Sequence, residues 1–345
     1  MATKNKHIVI LTPGFPENEA DTTCIPALQI YVKALKQISG FDITVISFHY
    51  PDKKTTYSWN GIPVIALGGS SRLSKILLWK RASRVLKDLD HQHKISVLHS
   101  FWLGECALIG NWFAQKKKIK HLTTLMGQDA LKQNGYAKIL PIKKMKLITL
   151  SEFHQHTFYQ NHKANSSIIP WGITPEDFPV SAEKTIDIIG VGSLIPLKNY
   201  SLFIEIIAAL RQIQPIKVVL IGDGVLRPEL ERKIQSLNLE KVIQVKGELE
   251  YSETLQLISQ AKILLHPSNY ESFGLVFAEA LQSKTMIVSR KTGCNFATKN
   301  WITADTKEGM IAGCLKLLKT EFSQTAQNPF LSTKTVADYL KRYDN

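Results

Sequence analysis

The sequence predicts an α/β protein built as two doubly wound parallel-sheet domains, and three observations carry that expectation. Short β-branched runs alternate with segments of helical period along the whole chain, the order that builds parallel sheets covered by helices. The chain has 345 residues, 44 % of them apolar, which is enough material for two ordinary cores. Between Pro170 and Pro179 three prolines and Gly172 interrupt both periodicities, as a domain boundary does. The expected division is therefore an N-terminal domain over 1–175, a C-terminal domain over 176–325, and a segment over 326–345 that can cross back to the N-terminal domain.

The elements follow in order. His7 to Leu11 reads as a strand closed by the loop Thr12-Pro13-Gly14-Phe15-Pro16, and Ile25 to Ile38 repeats Leu28, Val32 and Leu35 near helical period. Further strands are expected at Asp42 to Phe48, Ser96 to His99, His121 to Met126 and Leu147 to Leu150, with helices at Ser74 to Leu89 and Glu105 to Ala114. The second half predicts strands at Ile186 to Val191, Lys217 to Ile221, Val242 to Val245, Ile263 to His266 and Thr285 to Ser289. Helices between them are expected at Leu202 to Leu210, Arg227 to Ser236, Glu253 to Gln260 and Phe277 to Gln282. Ligands bind beyond the carboxyl ends of such strands, so two facing domains imply a cleft between them.

Composition narrows the class. Charged residues make up 21 % and aromatics 9 %, a globular profile that excludes disordered and low-complexity chains. Cys24, Cys106, Cys294 and Cys314 are scattered and form no C-x-x-C pair, which suggests neither a disulfide framework nor a zinc ribbon and favours a reducing cytoplasm. Only Ile8-Val9-Ile10-Leu11 follows the first basic stretch, shorter than the roughly 7 to 15 apolar residues of a signal peptide. The most apolar long window, Ser96 to Gln115, carries His99, Glu105 and Asn111, and reads as a buried strand and helix.

The net charge is +14, and it is unevenly placed. Residues 1 to 175 hold 23 basic against 10 acidic residues, while 176 to 345 hold 20 against 19. The helix expected around Arg72 to Lys94 sets Leu73, Ile76, Leu77, Trp79, Ala82 and Val85 against Lys75, Lys80, Arg81, Arg84 and Lys87. Lysines at 116 to 118, 120, 143, 144 and 146 extend the excess. Such a face suits an anionic membrane surface, or it is an ordinary solvated face.

The strongest chemical signal is Asn269-Tyr270-Glu271-Ser272-Phe273-Gly274-Leu275-Val276-Phe277-Ala278-Glu279-Ala280. Glu271 falls in a strand-to-helix loop and Glu279 in the helix, so both carboxylates can face one ligand. Backbone amides from Ser272 to Leu275 open the helix, where phosphate binds readily, and Gly274 permits close approach.

Glu, seven residues, Glu within this segment resembles the signature of retaining glycosyltransferases of family 4, the group 1 glycosyltransferases, whose fold is GT-B. Gly190-Val191-Gly192-Ser193-Leu194 with Lys198-Asn199, Ile221-Gly222-Asp223-Gly224 with Arg227 and Leu230, and Ile169-Pro170-Trp171-Gly172-Ile173 with Phe178 are similar to further family segments in the same order. The resemblance covers about residues 145 to 320 well and the first 145 less specifically. It implies a metal-independent enzyme without cofactor that moves a sugar from a nucleotide diphosphate donor to a glycan or lipid-linked acceptor in polysaccharide or glycolipid synthesis. The expected location is cytoplasmic, peripheral to the inner face of the membrane.

By the same resemblance Glu279 matches a ribose-binding carboxylate, Glu271 one that contacts the donor sugar, and Lys198 the cation that neutralises the leaving diphosphate. The amides of Phe273, Gly274 and Leu275 would hold diphosphate or sugar, and Gly247, Glu248 and Leu249, after Lys246, would lie beside the nucleobase. Gly14 and Gly192 belong to the donor set in the same way. Retaining transfer in the family goes by front-face attack, with the leaving phosphate taking the acceptor's proton, so Glu271 binds rather than attacks.

Three positions depart from the family pattern. Ser193 stands where many members have Arg, which leaves Arg227 or another residue to supply the second phosphate cation. Met126-Gly127-Gln128-Asp129 stands where many have His-Gly-x-Asp, so Gln128, Asp129 or His99 would replace the missing histidine, and His99 and Asp129 join the catalytic candidates. The glycine pair common in the first N-domain loop is absent, which leaves Gly14 ahead of the polar stretch Glu17 to Thr23.

Other readings are a GT-B sugar-nucleotide epimerase, a phosphorylase, for which no pyridoxal-phosphate lysine site is evident, and a basic nucleic-acid-binding protein. The last lacks an aromatic platform or helix-turn-helix pattern, so no specific nucleic acid is expected. A dehydrogenase would need G-x-G-x-x-G, and Gly190-x-Gly192 is followed by Leu194-Ile195.

Overall fold

The computed structural model describes residues 6–69, 75–179, 182–320 and 326–344. Arg72, Leu73 and Ser74, the expected start of the basic helix, lie outside the described residues.

The chain begins with β1 (His7–Gly14), α1 (Pro26–Ser39), β2 (Asp42–Tyr50), β3 (Lys54–Trp59), β4 (Ile62–Leu67) and α2 (Lys75–Gln92). It continues through β5 (Val97–Phe101), α3 (Glu105–Lys117), β6 (Lys120–Thr124), α4 (Tyr136–Ile139), β7 (Lys146–Thr149), α5 (Glu152–His162) and β8 (Ser167–Ile168). The second series is β9 (Ile186–Val191), α6 (Tyr200–Arg211), β10 (Val218–Ile221), α7 (Arg227–Ser236), β11 (Ile243–Gly247), α8 (Tyr251–Gln260) and β12 (Ala261–His266). It closes with α9 (Leu275–Gln282), β13 (Met286–Ser289), β14 (Trp301–Thr303), α10 (Lys307–Leu318) and α11 (Ser332–Asp344).

Two compact units result. Unit 1 is Met1–Gly172 with Ser332–Asn345, and unit 2 is Ile173–Leu331. The chain thus leaves unit 1 three residues before the expected boundary at 175, and re-enters it at Ser332 rather than at 326.

Unit 1 carries an eight-stranded sheet of order β3-β4-β2-β1-β5-β6-β7-β8, parallel except for the β3·β4 pair. That hairpin is absent from the strands expected above, although Asn60-Gly61 announces it. Both residues take positive φ, 48° and 71°, as a tight turn matching strand twist requires. The inner strands are nearly continuous apolar runs, such as Ile8 to Leu11 with no exposed surface, because helices cover both faces.

Helix α11 closes unit 1. It buries Val336, Tyr339 and Tyr343 at helical spacing. The Tyr343 hydroxyl lies 2.5 Å from that of Tyr31, Tyr339 pairs with Thr124 at 2.9 Å, and the Lys120 ammonium donates to the Tyr343 carbonyl.

Unit 2 carries a six-stranded, wholly parallel sheet of order β11-β10-β9-β12-β13-β14. Its core joins Ile188, Val218, Leu220, Ile263, Leu265 and Val288 of the sheet to Phe203, Ile204 and Ile207 of α6. Strand order reverses between β9 and β12, so the carboxyl ends of these two strands, at Val191 and His266, flank the crevice where doubly wound sheets take ligands. Among the described residues no helix is long and apolar enough to cross a membrane.

Candidate active site

In unit 2 the expected Lys198 and Glu271 meet, and His266 and Thr292 join them. Glu271 lies in the loop from β12 to α9 and is buried. Its Oε1 accepts from the Lys198 ammonium at 2.5 Å and from His266 Nε2 at 2.7 Å, and its own N–H donates to Thr292 Oγ1 at 2.7 Å. Burial alone would raise this carboxyl, but Lys198 and His266 outweigh burial and hold it at about 2. Burial lowers the His266 pKa, so a neutral ring with its proton on Nε2 fits the bond to Glu271.

Lys198 ends a short turn, Pro196–Lys198, and Asn199 takes φ 55° before α6 begins. The turn brings the ammonium to Glu271 and leaves about a fifth of the Lys198 side chain exposed. Behind it, the Tyr200 hydroxyl is buried without a hydrogen-bond partner among the described residues, and the Glu271 charge raises its pKa further than burial does alone.

Gly274 precedes α9 with φ +76°, and a Cβ there would come within 2.7 Å of the Phe277 ring, so the turn that opens α9 admits only glycine without strain. The first-turn amides of α9 therefore follow directly on Glu271 and Phe273, and of these the Phe277 N–H already donates to the Gly274 carbonyl at 2.9 Å. Phe273 is buried, its ring edge-on to Phe330 at 5.2 Å, and its carbonyl takes the Cys294 N–H at 2.8 Å.

Glu279, on α9, is the second buried carboxylate. Burial pushes its pKa up to about 7, against a smaller lowering by Tyr251 at the start of α8. Two carboxylates eight residues apart are thus shifted in opposite directions, because burial dominates at Glu279, where only a phenol opposes it, while an ammonium and an imidazole outweigh burial at Glu271.

On the β10–β11 side, Arg227 pairs with Asp223 at 2.6 Å and Glu231 at 2.9 Å. A Cβ at Gly247 would sit 3.2 Å from its Nη1, which places the guanidinium against the segment Gly247-Glu248-Leu249. Glu248 is exposed and Leu249 partly buried. Gly192 has φ +145°, and Ser193 beside it is exposed.

The candidates of unit 1 fare differently. His99 is fully buried; Nδ1 meets the Tyr343 hydroxyl at 2.6 Å and Nε2 meets Thr124 Oγ1 at 2.8 Å. Burial holds it well below the usual imidazole range. With both nitrogens bonded inside the core, it serves as a structural anchor for α11, not as the ligand-facing histidine expected from its place at a strand end. Asp129 accepts backbone N–H groups of Leu103 at 2.8 Å, Gly127 at 2.7 Å and Met126 at 3.1 Å, so its carboxylate shapes the loop after β6. Burial raises its pKa and these amides oppose the shift. Gly14 ends β1 with Tyr50, Cys24 and Ile25 around it.

The expected residues omit His266, Thr292, Tyr251 and Tyr200. Only His266 carried a signal, five residues before Glu271 at a strand end, and His99 shows that the same signal also marks a core residue. Among the described residues no three His, Cys, Asp or Glu side chains are grouped to hold a metal ion, and all four cysteines are free.

Residues 175–300 match the model of the family described as glycosyl transferases group 1. The chain is 24 % identical over 268 residues to an uncharacterized glycosyltransferase of Methanocaldococcus jannaschii, covering 76 % of this chain and 73 % of that one. It is 28 % identical over 138 residues to a subunit of the phosphatidylinositol N-acetylglucosaminyltransferase of Saccharomyces cerevisiae, covering 37 % of this chain and only 30 % of that one. A solved glycosyltransferase of Rickettsia africae superposes with a TM-score of 0.74 at 16 % identity, over 99 % of this chain and 98 % of its own. An Anabaena protein crystallised with UDP and glucose superposes at 0.69 and 15 % identity, over 98 % and 96 %.

Fold and matches together define the class, a glycosyltransferase of GT-B fold. The likeness to the group 1 glycosyl transferases lies over residues 175–300.

Proposed function

We propose that the chain moves a hexosyl group from a nucleotide diphosphate donor held by unit 2 to a glycan or lipid-linked acceptor, retaining anomeric configuration and needing no metal ion. The observation that carries this reading is the pairing of Lys198 and His266 on one oxygen of Glu271, at the strand-order reversal and directly before α9.

In this reading the Lys198 ammonium turns toward the diphosphate, where it offsets the charge that develops as the bond from the anomeric carbon to phosphate oxygen breaks. The amides at Phe273, Gly274 and Leu275 bind the same group at the mouth of α9. Glu271 offers a donor-sugar hydroxyl the oxygen that Lys198 and His266 do not touch. Glu279 accepts the ribose hydroxyls, which favours its ionised form, and Gly247 to Leu249 flank the base with Arg227 and Gly192 nearby. The acceptor hydroxyl attacks on the face the phosphate leaves, and its proton passes to a phosphate oxygen. Glu271, already engaged by two partners, binds rather than attacks.

The UDP and glucose of the Anabaena structure support a nucleotide-sugar donor, and the name of the yeast relative supports a lipid acceptor. The basic first half supports placement against an anionic cytoplasmic membrane surface, in polysaccharide or glycolipid synthesis. Incubation with UDP-, GDP-, ADP- and dTDP-sugars and a lipid-linked acceptor, with and without EDTA, tests the reading by NMR of the new glycosidic bond. One active donor giving a product of unchanged anomeric configuration in EDTA is expected; an inverted product, or activity only with added metal, would refute the mechanism.

A further inference from the structure

Three groups hold Glu271, and they differ in how free they are to leave it. Thr292, in the loop after β13, is buried and takes the Glu271 N–H on Oγ1 at 2.7 Å, which fixes the backbone. His266 Nε2 at 2.7 Å and the Lys198 ammonium at 2.5 Å share one carboxylate oxygen, Oε1. The His266 side chain is 1 % exposed, whereas Lys198 reaches in on a long side chain that is 20 % exposed. The His266 ring stands edge-on to Phe277 at 5.1 Å, and the same phenyl group closes the space over Gly274, so the imidazole is held by the turn that opens α9. Its Nδ1 is buried and has no hydrogen-bond partner among the described residues. A charged ring would carry an unanswered N–H at that atom, whereas a neutral ring protonated on Nε2 leaves only a lone pair there. His266 therefore gives Glu271 a hydrogen bond and no charge.

One ammonium cannot serve a buried carboxylate and a diphosphate at full strength. Were Lys198 the only partner of the Glu271 side chain, drawing it away would leave a carboxylate buried without a donor, and the ion pair would compete with the ligand. Resting on the nucleotide-sugar reading above, we propose that His266 is a positioning residue for donor binding. It keeps Oε1 of Glu271 while Lys198 moves to the diphosphate, so the carboxylate stays ionised and its other oxygen stays aimed at the donor sugar. A hydrogen bond donated to the ionised form favours that form once the ammonium has gone, and Thr292 keeps the backbone in place. The Lys198–Glu271 pair is then the resting arrangement, and nucleotide binding is an exchange of partners at Lys198 that His266 makes less costly. His266 itself, sealed under Phe277, acts only through Glu271.

The full chain is titrated by calorimetry with UDP, GDP, ADP and dTDP. For the nucleotide that binds, His266→Leu should weaken affinity at least about tenfold, because it strips the hydrogen bond from the carboxylate that Lys198 must leave. His266→Gln, whose amide nitrogen can take the place of the imidazole Nε2, should stay within about threefold of the unaltered chain. In a Glu271→Gln background there is no charge to retain, so His266→Leu should change affinity by less than about twofold. A loss of equal size in both backgrounds, or one as large in His266→Gln as in His266→Leu, would mean that the ring acts by packing, and would overturn the inference while leaving the donor reading in place. Unchanged affinity in His266→Leu would overturn it as well. If the leucine variant does not fold, His266→Asn, whose amide is one bond too short to reach Oε1, decides the point: weaker binding than His266→Gln supports the positioning role, and equal binding refutes it. Binding of none of the four nucleotides by the unaltered chain would overturn the donor reading and the positioning role with it.

Discussion

The two sheets follow one building rule and treat their strand ends in opposite ways. In unit 2, His266 at the end of β12 turns a nitrogen to Glu271, which also holds Lys198, so charged groups converge beside a helix start and a glycine turn. In unit 1, His99 on β5 lies beneath α11, where Tyr343 and Thr124 bond both nitrogens. A titratable residue at a strand end is therefore no guide to function by itself. What distinguishes the two histidines is whether their partners are charged groups at a crevice or the hydroxyls of a covering helix.

Changes that open this contrast should rank as follows. Lys198→Ala and Glu279→Ala should each lower donor affinity or turnover at least about tenfold, since each removes a charge-assisted contact worth roughly 1.5 to 3 kcal/mol. Donor titration calorimetry and steady-state rates read this directly, and unchanged values in both would break the assignment of unit 2. Tyr343→Phe should lower stability by about 1 to 3 kcal/mol, because it strips a partner from His99 Nδ1 and from the Tyr31 hydroxyl in a dry core. Denaturant unfolding would show that loss, with donor affinity of the folded protein unchanged.

The two carboxylates give a third, smaller contrast. Glu279 is raised from 4.5 to about 7, so the native state holds a proton the unfolded chain has lost, and stability falls as pH rises through that window. Glu271 is lowered from 4.5 to about 2, so its contribution is complete above 4.5 and is lost as pH falls toward 2. Unfolding curves between pH 3 and 8 should show Glu279→Gln flattening the decline on the neutral side and Glu271→Gln the decline on the acid side. A nucleotide that needs ionised Glu279 should also bind more weakly as pH drops below 7. Tyr200→Phe should change least, within about 0.5 kcal/mol by thermal unfolding, because the hydroxyl it removes has no partner to lose.

Much of this was legible in the sequence, for identifiable reasons. Buried parallel strands read as apolar runs, and Glu271, Glu279, Lys198 and Gly274 stood in short local segments whose order along the chain matched a known pattern. The β3·β4 hairpin was legible too, in Asn60-Gly61, but its strands alternate too weakly beside the long apolar runs to stand out. The seal over His99 was not legible, because it depends on Tyr343, which is 244 positions away and reaches it only after the chain has built unit 2. Thr292 on the Glu271 amide and Tyr251 beside Glu279 were hidden for the same reason, since both arrive from other loops of unit 2.

In the proposed function, unit 2 holds a nucleotide-sugar through the groups around Glu271 and Glu279. Thermal unfolding of the full chain against UDP-, GDP-, ADP- and dTDP-sugars in EDTA, for the unaltered protein and for Lys198→Ala and Glu279→Ala, tests it most directly. One nucleotide family at 100 times its dissociation constant should add about 2.7 kcal/mol to the unaltered protein, with most of that gain lost in both variants. Equal stabilisation of all three proteins, or of none by any donor, would contradict the account.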